Sequence, residues 1–188
     1  MKIVLLSGSK VGSKTRTAMD YTLTIAQEKY ADVEIALLDL ADFDVVFSDG
    51  RNYFDYEGDT KYVTETLMAA DAIIIGTPTF QASIPATLKN VFDLLPVNAF
   101  RNKVVSMLVT AGSPKHYLMV EQQLKPILAY MKAHIVPTYV FIEEKDFNRK
   151  EIINDDVHFR LERLVEDTVL LVEAYTGIRE KKDAEYGF

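Results

Sequence analysis

Residues 2–18 read KIVLLSGSKVGSKTRTA, an apolar run that leads into a loop of small residues and then into a helical pattern. The chain repeats this arrangement at 72–90, where AIII is followed by GTPTFQASIPATLKN. Both apolar runs have the length and β-branched content of buried parallel strands, so both loops are predicted at the carboxyl ends of strands. Ligands bind at that edge of open α/β sheets. The two stretches therefore predict an α/β protein with a ligand-binding crevice.

Strand and helix patterns alternate along the rest of the chain. Pro126 interrupts the fourth helical pattern, which predicts a kink there or a helix in two pieces. The predicted strands cover 2–7, 33–39, 71–76, 103–109 and 136–142, and the predicted helices cover 15–29, 60–69, 84–95, 117–133 and 156–175.

Right-handed crossovers arrange these βα units as a flavodoxin-like, doubly wound, five-stranded parallel sheet of order 2-1-3-4-5 in a three-layer α/β/α domain. The first and third strands then flank the switch point, which brings 8–16 and 77–83 to one crevice. We expect one domain over 1–176 and a charged, weakly ordered tail over 177–188. The aromatic and acidic segment 43–58 is predicted to cover a ligand, to reach a partner subunit, or to fold onto its own domain.

The composition excludes several classes of function. A formal net charge of −7 with scattered Lys and Arg argues against a nucleic-acid surface and favours a small-molecule partner. Cysteine is absent, so disulfides, thiolate catalysis and Cys-ligated metal centres are excluded, and redox chemistry requires a cofactor. The three histidines are far apart, and no metal site is predicted. Without a signal-peptide pattern or an apolar run near the ~18 residues of a membrane span, we expect a cytoplasmic protein with no membrane partner.

The first loop has the chemistry of an anion site. Gly8, Ser9, Gly12, Ser13 and Thr15 offer small side chains, hydroxyl groups and backbone N–H groups at the start of a helix, and a single phosphate would fit there. The alternative is that Ser13 or Thr15 only caps the helix.

Two other nucleotide motifs compete for this loop. The fingerprint G-x-G-x-x-G fails, because Lys10 stands where its second glycine belongs. The P-loop pattern G-x-x-x-x-G-K-[ST] is met by Gly8, Lys14 and Thr15, but Ser13 replaces its second glycine. Asp39, at the end of a strand pattern, would then bind magnesium. A P-loop nucleotide-binding enzyme therefore stays open as an alternative.

The second loop and its helix resemble a known family. TPTFQASIPATLKNVFDLL at 77–95 is similar to the signature (S/T)-P-x-Y-(H/N)-x-(S/G)-x-x-(G/A)-x-L-K-N-x-(L/F)-D of the NADPH-dependent FMN reductases, which include FMN-dependent azoreductases. The segments GSKVGSKTRTA at 8–18, VTAGSPKH at 109–116 and VPTYVFIEEKDF at 136–147 resemble that family's first loop, third flavin-contacting loop, and fifth strand with its following loop.

The resemblance implies three groups of contacts to FMN. The positions that would bind its phosphate are Ser9, Ser13 and Thr15, with Lys10 or Arg16 adding charge. The positions that would hold the isoalloxazine edge, mostly through backbone groups, are Pro78, Thr79, Phe80 and Gln81. The positions that would line the pyrimidine side of the ring are Ala111, Gly112 and Ser113.

The resemblance further implies an oxidoreductase in which NADPH or NADH reduces bound FMN and the flavin passes electrons to flavin, quinone or azo-type acceptors. No side chain needs to act as acid or base, and a homodimer or homotetramer is implied. Three positions depart from the family pattern: Lys10-Val11 replaces a frequent arginine, Thr79 an acidic or amide residue, and Gln81 a His or Asn. A flavodoxin-type electron carrier and a flavin-free interaction module remain alternatives.

Overall fold

In the computed structural model, which describes residues 1–186, strands and helices alternate as the sequence predicts. The strands are β1 (Lys2–Ser7), β2 (Glu34–Asp39), β3 (Ala72–Pro78), β4 (Val104–Ala111), β5 (His134–Ile135), β6 (Val140–Glu143), β7 (Phe147–Asn148) and β8 (Glu151–Ile152). The helices are α1 (Lys14–Lys29), α2 (Gly58–Met68), α3 (Ala86–Leu94), α4 (Lys125–Tyr130) and α5 (Asp155–Tyr186).

The main sheet has the predicted order. β2, β1, β3 and β4 are neighbours in that sequence, and β5 and β6 both pair with β4, so together they occupy the fifth position. These pairings are parallel, and Ser7 at the end of β1 lies opposite both Asp39 and Gly76. The carboxyl ends of β1 and β3 are therefore adjacent, which confirms the predicted switch point.

The central strands β1, β3 and β4 are buried on both faces because helices cover the sheet on both sides. In β1, Val4 and Leu6 pack into one core with α2, α3 and α4, while Ile3 and Leu5 pack into the other with α1 and α5. A strand in this position reads as a continuous apolar run, and KIVLL is such a run. The three-layer α/β/α architecture is thus confirmed.

A glycine keeps the first two loops in contact. The Gly8 N–H group donates a hydrogen bond to the Gly76 carbonyl at 2.8 Å. A Cβ atom at Gly8 would lie 3.0 Å from the Leu88 side chain and 3.2 Å from the Gly76 oxygen. Any larger residue at position 8 would therefore push the loops after β1 and β3 apart.

Proline residues explain two differences from the predicted elements. The expected strand 136–142 is divided: Val136 still donates to the Val105 carbonyl at 2.9 Å, but Pro137 has no N–H group to continue the ladder. The expected helix 117–133 contains a π-helical turn over Val120–Leu124, and α4 follows with Pro126 in its first turn. The interruption predicted at Pro126 is confirmed.

The last helix is longer than the sequence predicts. α5 continues through Tyr186, whereas the helical pattern was expected to end at 175 and to leave a weakly ordered tail. Positions 187–188 of that tail lie outside the described residues. Within residues 1–186, no helix is both long and apolar enough to cross a membrane.

Candidate functional site

A cleft of about 370 Å³ opens at the carboxyl edge of the sheet, between the ends of β1, β3, β4 and β6. Four loops contribute to it, so it combines residues that are distant in the sequence. The lining residues are Val11, Gly12, Ser13, Lys14, Thr15, Pro78, Thr79, Phe80, Thr110, Ala111, Gly112, Glu144 and Phe147.

The first loop presents a positively polarised helix end to this cleft. Gly12 has a φ of 89°, a left-handed conformation that favours glycine, and it turns the chain into α1. Ser13 is the N-cap residue but forms no capping side-chain hydrogen bond within the described chain. Lys14 and Arg16 occupy the first turn, which carries no acidic residue. Because cations are unfavourable at a helix N-terminus, this turn is suited to an anionic ligand.

The remaining first-loop residues lie at the margin of the cleft. The Ser9 hydroxyl donates to the Val11 carbonyl at 2.8 Å and accepts from the Val11 N–H group at 3.2 Å, so it stabilises the turn itself. The Lys10 ammonium is exposed and lies 3.9 Å from Asp44. Neither side chain lines the cleft.

Arg16 faces away from the cleft into a carboxylate cluster. Its guanidinium donates to the buried Asp39 carboxylate at 2.7 Å, to Asp20 at 2.8 Å and to Asp42 at 3.2 Å. These hydrogen bonds, that to Asp39 foremost, raise the pKa of Arg16 above its ordinary value. The Asp39 carboxylate that a P-loop enzyme would use for magnesium is thus bound to an arginine, which removes the support for that alternative.

The second loop is a tight turn of unusual backbone conformation. Phe80 and Ser83 exchange two backbone hydrogen bonds of 2.9 Å, and the two residues between them, Gln81 and Ala82, have φ angles of 49° and 60°. Two-residue turns of this kind usually contain Asn and Gly, because other residues are strained at positive φ. Pro78, Thr79 and Phe80 line the cleft, whereas Gln81 is exposed at the tip of the turn.

Thr79 carries a polar atom that fits a ligand in the cleft. Its N–H group donates to the Thr110 carbonyl at 3.0 Å, but its buried Oγ1 atom has no hydrogen-bond partner among residues 1–186. A buried hydroxyl without a partner costs about 1–3 kcal/mol. A bound heteroaromatic ring with polar edge atoms would satisfy it.

The third loop closes the cleft from the β4 side. Thr110 Oγ1 and Thr15 Oγ1 lie 2.7 Å apart in a buried hydrogen bond, which ties the end of β4 to the first turn of α1. Ala111 and Gly112 follow in the lining of the cleft. Ser113 begins a short 3₁₀ turn, where its hydroxyl accepts from the Lys115 N–H group at 3.3 Å, and it does not line the cleft.

Some lining residues are absent from the predicted site. Glu144 and Phe147 follow β6, where the Glu144 carboxylate pairs with the Lys14 ammonium and the Phe147 ring lies 5.8 Å from that same group. Their segment carries a sequence signal, since VPTYVFIEEKDF resembles the fifth strand and following loop of the NADPH-dependent FMN reductases. The sequence does not show that its last residues fold back over the first loop.

Segment 43–58 is held against α3 by Asn90, the asparagine of the Leu-Lys-Asn run. The Asn90 side chain accepts from the Ser48 N–H group and donates to the Val46 carbonyl, both at 2.9 Å. Tyr56 is buried at the other end of the segment, and its hydroxyl donates to Asp49 at 2.9 Å. The segment therefore packs on its own domain, and no residue of it lines the cleft.

A doubly wound sheet with a cationic helix start and a cleft at its switch point is the architecture of flavodoxin-like nucleotide-binding proteins. The family model described as "NADPH-dependent FMN reductase" matches residues 1–147. The chain belongs to the NADPH-dependent FMN reductase family, which confirms the resemblance. It is an oxidoreductase whose cofactors are FMN and NAD(P)H, as the sequence predicts.

Similar proteins can be aligned with this chain along most of their length. An NAD(P)H-dependent FAD/FMN reductase of Geobacillus thermodenitrificans (strain NG80-2) is 40% identical over 90% of this chain and 92% of that protein. An FMN reductase (NADPH) of Escherichia coli (strain K12) is 31% identical over 88% and 87%. The solved apo form of an NADH:FMN oxidoreductase is 27% identical with a TM-score of 0.76, covering 90% of this chain and 88% of that one.

Proposed function

We propose that this protein takes electrons from NAD(P)H through FMN held in the cleft and delivers them to a flavin, quinone or azo-type acceptor. One observation carries the proposal: the cleft unites a cationic helix start at Lys14, apolar walls from Phe80 and Phe147, and the unpartnered Thr79 hydroxyl. An aromatic ring with a phosphate-bearing chain matches these three features. When bound, FMN supplies the electron transfer, and the protein supplies binding and orientation.

Each loop has a distinct role in this proposal. Ser13, Lys14 and Thr15 bind the phosphate through the N–H groups of the first turn, hydroxyls and the ammonium group. Ser9 shapes the loop, and the more distant Lys10 and Arg16 add positive charge around it.

The ring is held by the other loops. Pro78, Thr79 and Phe80 contact its edge, and the strained turn at Gln81 fixes their backbone. Ala111 and Gly112 line the opposite side with small residues that let the ring approach the backbone, and Ser113 holds the start of the following turn in place.

The test is a cofactor-loading experiment. Purified protein is incubated with excess FMN, passed through a desalting column, and titrated anaerobically with NADPH and, separately, with NADH. Retained flavin absorption that bleaches with either nucleotide supports the reductase. Flavin that stays bound and oxidised with both nucleotides would instead identify an electron carrier, and a protein that retains none and shows no FMN binding at equilibrium contradicts the assignment of the cleft.

The acceptor is tested by steady-state turnover. We expect NAD(P)H oxidation to be stimulated by free FMN, by a small benzoquinone and by an azo dye, with the order of kcat/KM identifying the preferred class. A protein whose bound flavin bleaches but is not reoxidised by any of the three would contradict the acceptor part of the proposal.

The proposal also covers the protein's organisation. We place it in the cytoplasm as a homodimer or homotetramer, which light scattering after gel filtration would check. The proposed flavin-binding domain covers residues 1–176 and is followed by a tail over 177–188, of which residues 177–186 continue α5 and line no part of the cleft. Deleting 177–188 is therefore expected to leave FMN affinity unchanged within about twofold, a margin well below one hydrogen bond.

A further inference from the structure

The Lys14 ammonium in the first turn of α1 already has an anionic partner. It pairs across the cleft with the Glu144 carboxylate, which enters from the loop after β6. Side-chain exposure is 29% for Lys14 and 66% for Glu144, so the pair lies at the mouth of the cleft rather than in the core. A carboxylate thus lies beside the Lys14 ammonium within the lining of the cleft.

The position of Glu144 is set by a rigid turn. Glu143 and Asp146 form a reciprocal capping box around residues 144–146, in which the Glu143 N–H group donates to the Asp146 carboxylate at 2.8 Å. Asp146 is buried, and the Asn154 amide donates to its other oxygen at 2.7 Å. Lys145 points to Glu143 at 2.8 Å. Glu144 is therefore presented toward Lys14 by a hydrogen-bonded backbone.

The other cations of the first loop have different partners. Arg16 is bound to three carboxylates, and Lys10 lies beside Asp44 outside the cleft. Lys14 is the cation of this loop that lines the cleft. By pairing with Lys14, Glu144 therefore reduces the positive charge that the first loop presents to a ligand.

We propose that Glu144 competes with the cofactor's phosphate for Lys14 and thereby keeps FMN exchangeable. This inference rests on the proposed function and deepens it: the flavin enters and leaves the cleft as a substrate, because its phosphate must displace a tethered carboxylate. Glu144 opposes only the binding of the phosphate, so it weakens FMN binding. Riboflavin has the same ring without the phosphate, so its binding is unaffected.

The experiment measures flavin dissociation constants by fluorescence quenching in the full-length protein. Four proteins are compared with FMN and with riboflavin: wild type, Glu144→Gln, Lys14→Gln and the double variant. Glu151→Gln, which removes the same charge from an exposed position of β8 in the adjacent hairpin, is the matched control. We expect Glu144→Gln to tighten FMN binding about fivefold, the usual scale for one charge beside a partly exposed ion pair.

Four further results are expected. Riboflavin affinity changes by less than about twofold in Glu144→Gln, Lys14→Gln weakens FMN binding by about fivefold, and the effect of Glu144→Gln shrinks in the Lys14→Gln background because its partner is gone. The gain from Glu144→Gln also decreases at high salt.

Other outcomes overturn the inference. FMN binding that is unchanged or weaker in Glu144→Gln refutes the competition, as does an equal gain for riboflavin or for Glu151→Gln. If wild type binds flavin but Glu144→Gln does not selectively tighten FMN binding, this inference alone is refuted. Failure of both flavins to bind all four proteins refutes the proposed function as well.

Discussion

Replacing Asn90 by alanine is expected to release segment 43–58 from α3 and to lower the free energy of unfolding by about 2 kcal/mol. The change removes two hydrogen bonds of 2.9 Å, to the Ser48 N–H group and the Val46 carbonyl, and leaves those backbone groups partly buried. Each such bond contributes about 0.5–1.5 kcal/mol, and alanine's higher helix propensity offsets about 0.5 kcal/mol of the loss.

Urea denaturation followed by circular dichroism measures this difference, and in a chain of this size about 2 kcal/mol lowers Tm by roughly 4–8 °C. Limited proteolysis is a second measurement, because a released segment is cleaved within 43–58 before the domain unfolds. The exposed Asn98 provides the control, since Asn98→Ala changes the same residue type and is expected to alter stability by less than about 0.5 kcal/mol. Asn90→Ala with the stability and cleavage pattern of Asn98→Ala would refute the anchoring role.

Three other substitutions test the cleft and its supports. Thr79→Val removes the unpartnered hydroxyl, so we expect the ligand-free protein to gain about 1 kcal/mol and FMN binding to weaken by about fivefold, measured by urea denaturation and fluorescence titration. Ala82→Gly relieves a positive φ of 60° and is expected to raise stability by about 0.5–1 kcal/mol, measured as Tm. Arg16→Met leaves the buried Asp39 without its cation and is expected to cost about 1–2 kcal/mol while weakening FMN binding less than Lys14→Gln does.

Each of these three substitutions has its own comparison that could contradict it. Thr77→Val also removes a buried hydroxyl, but that hydroxyl donates to the Pro78 carbonyl at 3.0 Å, so this variant is expected to lose stability where Thr79→Val gains it. Ala86→Gly, at the start of α3, is expected to lower Tm; a shift of both glycine variants in one direction would contradict the strain at Ala82. An FMN affinity that falls more in Arg16→Met than in Lys14→Gln would show that Arg16, and not Lys14, is the main cation for the phosphate.

The sheet and its switch point could be predicted because local signals determine them. The runs KIVLL and AIII are short, apolar and rich in β-branched residues; Gly8 follows the first after one serine, and Gly76 follows the second directly. Pro126 and Pro137 also act locally, since each lacks an N–H group. The sequence predicts the interruption at Pro126. It does not predict the one at Pro137, because the surrounding residues have the pattern of a single strand.

The parts of the site that the sequence does not predict depend on tertiary contacts. Nothing near Glu144 in the sequence indicates that its loop folds back to Lys14, and nothing near Arg16 indicates that it turns to Asp39 and Asp42 instead of the cleft. The sequence identifies Asn90 only as part of a family signature, and its role in anchoring a distant loop depends on the folded position of residues 46–48 beside it.

The length of α5 has a consequence for local unfolding. Val172 is the last buried residue of this helix through Glu185, half-buried Tyr175 stacks on His134, and Gly177 follows. Beyond Gly177 every side chain through Glu185 is exposed, so this part of the helix depends on its own backbone hydrogen bonds, and an isolated segment of that length is marginal in water. Amide protons before Val172 should exchange with deuterium only on global unfolding, whereas those after Gly177 should exchange by fraying, orders of magnitude faster, within one continuous helix.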